Sequence, residues 1–218
     1  MGKHAEGYHL DDDEIERDRR SWQDILSRKQ IMNFARLQQA RIPDLAPVYE
    51  GARGRTLSSR HLGYTWRALR EAGVKTVIDL REGDKSERLP ALCEEYGMEY
   101  FHYPIDSAGE TIALMIEKFP ELCRLIDKGD FYIACALGLH RTDTALCLYW
   151  MFHGADRGMA QPQLHGYLRE KGLQPDKMMR RINAFYNLCA GQGNEPVPED
   201  VFKRRKQMIT EVWRGNVQ

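Results

Sequence analysis

The stretch FYIACALGLHRT, residues 131–142, constrains this chain more than any other. An apolar run suited to a buried strand, Phe131 to Ala134, stops at Cys135, and the chain turns through Gly138. Arg141 and Thr142 then open an apolar segment of helical length that runs to His153. The order is strand, tight loop, helix. A helix N-terminus carries roughly half a positive charge and unpaired N–H donors, so an anion is favoured where such a loop closes. A thiol held beside it is favoured in its ionised form. The amides of Ala136, Leu137, Gly138, Leu139, His140 and Arg141 are candidates for an inward-facing anion nest, with the Arg141 guanidinium gripping two oxygens bidentately. The chemistry that fits is attack by the Cys135 thiolate on a phosphoryl group.

A cysteine followed six positions later by an arginine is weak information in a chain with five cysteines and 32 lysines and arginines. The added glycine at 138, the hydroxyl at 142 and the flanking strand and helix make the pattern specific. Read blandly, Cys135 is a small apolar residue ending a core strand and Arg141 a surface helix residue. That explains the two ends and leaves the middle unexplained. No Lys-Ser or Lys-Thr pair follows Gly138, so a Walker-type nucleotide loop does not fit.

The loop resembles the signature of the cysteine-dependent protein tyrosine phosphatases, most closely the compact dual-specificity enzymes and their bacterial relatives. Members read His-Cys-x-x-Gly-x-x-Arg followed by Ser or Thr, and here Cys135, Gly138, Arg141 and Thr142 match. Upstream, GVKTVIDLRE from Gly73 to Glu82 resembles the family's early core strand and the arginine-bearing loop after it, making Arg81 a candidate substrate-binding residue. YFHYPID leads to Asp106, 29 residues before Cys135, the separation that the family keeps between general acid and nucleophile. The resemblance covers about residues 46–190. It implies that Cys135 is the nucleophile, Arg141 the phosphate clamp, Asp106 the acid and then the base, and Thr142 the hydroxyl that stabilises the departing thiolate. No metal or other cofactor is implied. For Asp106 the competing reading is a turn-forming aspartate ahead of Ser107-Ala108-Gly109, and for Arg81 a surface pairing with Glu82 or Asp84.

Two residues depart from the family pattern. Ala134 stands where a histidine usually precedes the cysteine, and Asp143 stands where a glycine usually follows the hydroxyl. The first removes a side chain that orders the loop; the second adds negative charge one turn from a phosphate site, although acids in a first helical turn are favourable. His140 can restore some positive charge when protonated. A phosphate-binding pseudophosphatase with little or no turnover is therefore the alternative function. A lesser one is a rhodanese-like sulfurtransferase or arsenate reductase, which commonly recruits a second thiol; Cys93, Cys123, Cys147 and Cys189 show no paired spacing. Family members that take polyphosphorylated inositols usually carry lysines in the loop, and this one has Ala136, Leu137 and Leu139, so the resemblance implies a singly phosphorylated protein, tyrosine foremost.

The 32 basic and 32 acidic side chains among 218 residues balance, which gives no reason to expect nucleic acid as a partner. No stretch approaches the roughly twenty apolar residues of a membrane span. The first twenty residues lack an apolar leader-like region and the cysteines are unpaired, so a cytoplasmic location is expected.

Residues 1–45 are expected to form a charged, partly helical extension, and 46–218 a phosphatase-like α/β domain ending in helices near 161–171, 176–189 and 199–213. Strands are expected at 48–51, 75–80, 100–103 and 131–134, and helices at 59–72, 86–96, 111–127 with an interruption at Pro120, and 142–153. This alternation predicts a single α/β domain with a central, mostly parallel sheet of four to five strands flanked by helices, and a site at the strand C-termini.

Overall fold

A computed structural model describes residues 33–58, 61, 63–82, 88–105, 109–165, 182 and 185, with main chain alone at 109–113 and 156. The chain divides into two units, Met1–Ile31 and Met32–Gln218. The first lies outside the described residues, as do Asp106 and most of the three expected C-terminal helices.

The second unit is built on one five-stranded sheet. Along the chain run α1 (Phe34–Gln39), β1 (Ala46–Val48), β2 (Gly51–Arg55), α2 (Gly63–Glu71), β3 (Thr76–Asp79), α3 (Leu89–Glu95), β4 (Glu99–His102), α4 (Gly109–Lys128), β5 (Phe131–Cys135) and α5 (His140–Tyr149). A π-helical turn, Trp150–Gly154, and a short 3-10 turn, Ala155–Arg157, follow. Strand order is β1-β2-β5-β3-β4; the β1–β2 hairpin is antiparallel and every other pairing is parallel. The last strand in sequence is thus the middle strand of the sheet. Strands on either side of it are reached by separate connections, and ligands of open α/β sheets bind at such a switch in strand order, outside the carboxyl ends of the strands.

Side-chain alternation along β5 divides the core in two. Phe131, Ile133 and Cys135 face a cluster with Met115, Leu122 and Ile126 of α4 and Leu146 and Leu148 of α5. Tyr132 and Ala134 face the opposite cluster, with Trp66 and Leu69 of α2, Leu89 and Cys93 of α3, and Phe34 and Leu37 of α1. Leu37 and Leu69 are both fully buried, each worth about 1.5–3 kcal/mol. Because Phe34 and Leu37 are core residues, α1 belongs to the folded unit, which therefore begins ahead of the expected boundary at residue 46.

Three other expectations change. The strand expected at 48–51 is a hairpin whose turn lies at Tyr49 and Glu50, so those residues reverse the chain between β1 and β2. Helix α4 continues through Pro120. Proline removes one helical bond, but Leu122, Cys123, Leu125 and Ile126 beyond it are buried against the sheet, and that packing outweighs the loss. The helix expected to reach His153 widens into the π turn, where Trp150 donates its Nε1–H to the Met159 carbonyl. Among the described residues, no helix is long and apolar enough to cross a membrane.

Candidate active site

Cys135 ends β5, and the chain turns at once. The Cys135 carbonyl accepts the Gly138 N–H at 3.0 Å and the Thr56 N–H at 2.9 Å, tying the start of the loop to itself and to the chain just beyond β2. Gly138 has φ +71, and a Cβ there would lie 2.5 Å from the Gly54 carbonyl carbon and 2.7 Å from the Arg55 nitrogen. Only glycine fits against the strand behind it. Gly54 is under the same constraint from the other side, since its Cβ would meet the Tyr132 hydroxyl oxygen at 2.5 Å. The loop is thus seated on β2 backbone to backbone.

Helix α5 starts from Leu139 with no side-chain cap, and its first bond runs from the Asp143 N–H to the Leu139 carbonyl at 2.8 Å. The positive pole of the helix accordingly opens onto the loop. The expectation that every amide from Ala136 to Arg141 faces an anion does not hold for Gly138, whose N–H closes the turn onto Cys135. Ala136 and Leu137 are exposed, Leu137 at 45%, and they form the outer lip; Gly138 and Leu139 are buried. His140 and Arg141 are half-buried. Cys135 is 3% exposed and lies against the α4–α5 cluster.

Arg141 reaches back across the mouth. Its Nε donates to the Ile105 carbonyl at 3.1 Å, and its Nη2 pairs with the carboxylate of Glu82, just beyond β3. An anion therefore already rests on the guanidinium, supplied by the protein. Ile105 immediately precedes Asp106, which lies outside the described residues; the Arg141 contact fixes the main chain one residue short of it. Thr142 is fully buried and its Oγ1 has no hydrogen-bond partner among the described residues.

Arg81 pairs with Asp79. Its Nε lies 3.0 Å and its Nη2 2.7 Å from the carboxylate oxygens, and its own N–H donates to the same carboxylate at 3.1 Å. The Tyr100 hydroxyl adds a further bond to Asp79 at 3.1 Å. The hydrogen bond to Asp79 raises the Arg81 pKa above its ordinary value, outweighing the opposing effect of burial. Of the expected surface partners, Glu82 pairs with Arg141, and Asp84 lies outside the described residues.

Sequence reasoning missed Arg53. It is 1% exposed and forms an ion pair with Asp143, also 1% exposed, at 2.5 Å. Its Nη2 donates to the Gly138 carbonyl at 2.9 Å and to that of Leu139 at 3.4 Å, and its Nη1 to that of Gln163 at 3.0 Å. The charge that Asp143 was expected to set against a phosphate is therefore matched by a buried guanidinium. The signal was an acid leading into the apolar run Ala145 to Tyr149, where a buried carboxylate calls for a buried cation nearby.

Cys93, Cys123, Cys135 and Cys147 are free thiols. Burial pushes Cys93, Cys123 and Cys147 up to about 12, which leaves them protonated at neutral pH. Among the described residues no group of three or more His, Cys, Asp or Glu is placed to hold a metal ion.

Residues 50–155 match the Tc-R-P family, described as a polymorphic toxin system DSP-PTPase phosphatase. Similar solved structures include a putative phosphatase (DUF442) from Shewanella putrefaciens CN-32, 18% identical over 69% of this chain and 95% of that one, with a TM-score of 0.48. Tk-PTP in its active form is 19% identical over 62% of this chain and 90% of that one, with a TM-score of 0.41. The catalytic core of the PP-IP phosphatase SIW14 from S. cerevisiae is 15% identical over 66% of this chain and 95% of that one, with a TM-score of 0.38. No curated protein matches. The match to a DSP-PTPase phosphatase model spans just under half of this chain, and the strand, loop and helix that hold Cys135 and Arg141 lie inside it.

Proposed function

We propose that the protein hydrolyses phosphomonoesters through a phosphocysteine intermediate. Cys135 Sγ attacks phosphorus as the bond to the leaving oxygen breaks, and Asp106 gives that oxygen its proton. Asp106 then takes a proton from water, whose oxygen attacks phosphorus; the S–P bond breaks, and the thiolate departs beside the Thr142 hydroxyl. Arg141 and the loop amides hold the equatorial oxygens, where positioning and electrostatics supply most of the rate enhancement in phosphoryl transfer.

The observation that carries this reading is the carboxylate of Glu82 on Arg141, at the mouth of a loop that begins at Cys135 and ends in an uncapped helix N-terminus. A carboxylate oxygen there stands in for a phosphate oxygen. The Arg141 bond to Ile105 supports Asp106 as the acid, and the unpartnered Thr142 hydroxyl supports its role beside the thiolate. For substrate, the lysine-free loop and the exposed Leu137 at its lip favour a singly phosphorylated protein with an aryl ester, phosphotyrosine before phosphoserine or phosphothreonine.

One observation favours the slower, phosphate-binding reading: Cys135 is 3% exposed, which limits its approach to phosphorus. Release of p-nitrophenol from p-nitrophenyl phosphate separates the two. Turnover by the wild type, its loss in Cys135→Ser and its marked fall in Asp106→Asn are expected. Equal background rates in wild type and Cys135→Ser would leave only the binding role, and full activity in Asp106→Asn would move the acid elsewhere.

A further inference from the structure

We propose that Arg53, partnered by Asp143, is a positioning residue that sets the anion-binding shape of the loop from behind. The inference rests on reading the loop as a phosphate site. Arg53 lies on β2 opposite Ile133 of β5, on the strand whose next residue, Gly54, touches Gly138. Strand alternation sends Ala52 to one core cluster and the Arg53 side chain to the other face, where α5 begins.

Its acceptors explain its effect. In a planar trans peptide the C=O and the following N–H point in opposite directions. Arg53 holds the Gly138 carbonyl at 2.9 Å and shares the Leu139 carbonyl with the Asp143 N–H, and on this proposal the N–H groups of Leu139 and His140, on the far side of those peptides, are the ones left for an anion. Without that pull, a carbonyl facing the mouth would repel an anion. The same guanidinium holds the Gln163 carbonyl, which fixes the segment after the helix to the back of the loop.

Asp143 completes the device. A lone buried guanidinium is costly, and the carboxylate one turn into α5 neutralises it, so the pair adds no net charge behind the phosphate. The departure from glycine at position 143 is thus the counter-ion of Arg53. A pair of matched apolar side chains would satisfy the core equally well. It would not orient two carbonyls.

The test uses the full chain and reads two quantities: the melting temperature, and the dissociation constant for inorganic phosphate by calorimetry, with kcat/KM on p-nitrophenyl phosphate beside it. Arg53→Met removes the buried cation paired with the Asp143 carboxylate, and both quantities suffer. In Arg53→Met with Asp143→Leu no charge is stranded, so the melting temperature recovers while phosphate binding and kcat/KM stay depressed, on the order of ten- to a hundredfold. Arg53→Lys guards against poor folding of either variant. It keeps the charge beside Asp143 but lacks the planar fork, and it should melt near the wild type yet bind phosphate as weakly as the double variant. Phosphate affinity that returns with the melting temperature in the double variant, or wild-type affinity in Arg53→Lys, overturns the positioning role and leaves the loop assignment intact. A wild type that neither binds phosphate nor hydrolyses the ester overturns both.

Discussion

Two arginines meet at this loop, one bonded to its carbonyls and one rising from its end, and they are held in opposite ways. Arg53 is 1% exposed, and its acceptors are three main-chain carbonyls and a carboxylate that is itself 1% exposed. Arg141 is 22% exposed, and beyond one carbonyl its partner is Glu82, whose side chain is 41% exposed. Acceptors that belong to the backbone cannot be exchanged for a ligand, whereas an exposed glutamate can leave and let a phosphate oxygen take its place. One arginine serves the architecture and the other the chemistry, although by residue type they are identical.

That contrast is broken most strongly at Arg53. Arg53→Ala removes the buried cation that faces the Asp143 carboxylate, and urea denaturation should show a loss of about 3–5 kcal/mol. Arg141→Lys should do the reverse. Hydrolysis of p-nitrophenyl phosphate falls about 10²–10³-fold, because the bidentate grip on the transition state is lost, while the urea midpoint barely moves. Equal stability losses at the two sites would erase the distinction. Glu82→Gln sharpens it further: removing the competing charge should tighten inorganic phosphate binding several-fold in calorimetry, an effect of about 1 kcal/mol. Weaker binding in Glu82→Gln would make Glu82 a holder of Arg141 and not its placeholder.

The smallest effect is expected away from the loop, at the surface cluster where Asp127 accepts from the Tyr149 hydroxyl at 2.7 Å, His153 Nε2 at 2.8 Å and Arg157 Nη1 at 2.9 Å. Burial alone would raise the Asp127 pKa, but these hydrogen bonds more than offset it and hold the carboxyl below its ordinary value. A depressed carboxyl stabilises the fold above its unfolded pKa, near ~4, and that contribution is lost as pH falls through the folded value. Asp127→Asn should therefore cost no more than about 1 kcal/mol at neutral pH, with the gap to wild type closing in acid below that range. A gap that widens on acidification would contradict the assignment.

The parts of this molecule written in local pattern were legible in the sequence. Phe131 to Cys135 followed by His140 to Tyr149 reads as strand, loop and helix because burial follows near-neighbour periodicity, and the mostly parallel sheet follows from alternating elements. Long-range partnerships were not legible. Arg53 sits in Gly-Ala-Arg-Gly-Arg, a segment whose glycines argue against a strand until the close approach of Gly138 and Tyr132 supplies the reason for Gly54. Its partner lies 90 residues further along the chain, and only the pairing of β2 with β5 brings them together. The Arg81 pairing was equally hidden: a turn after β3 folds it back onto Asp79, two residues before it, while Glu82 meets Arg141. Asp106 was singled out by its spacing from Cys135, and its side chain lies outside the described residues.

Rapid acid quench of the wild type during turnover of p-nitrophenyl phosphate, followed by mass spectrometry of the peptide containing Cys135, tests the central claim most directly. A phosphoryl group on Cys135 that accumulates in Asp106→Asn and is absent from Cys135→Ser is the predicted result. Phosphate release that persists in Cys135→Ser, or turnover by a wild type whose Cys135 never carries phosphate, would contradict it.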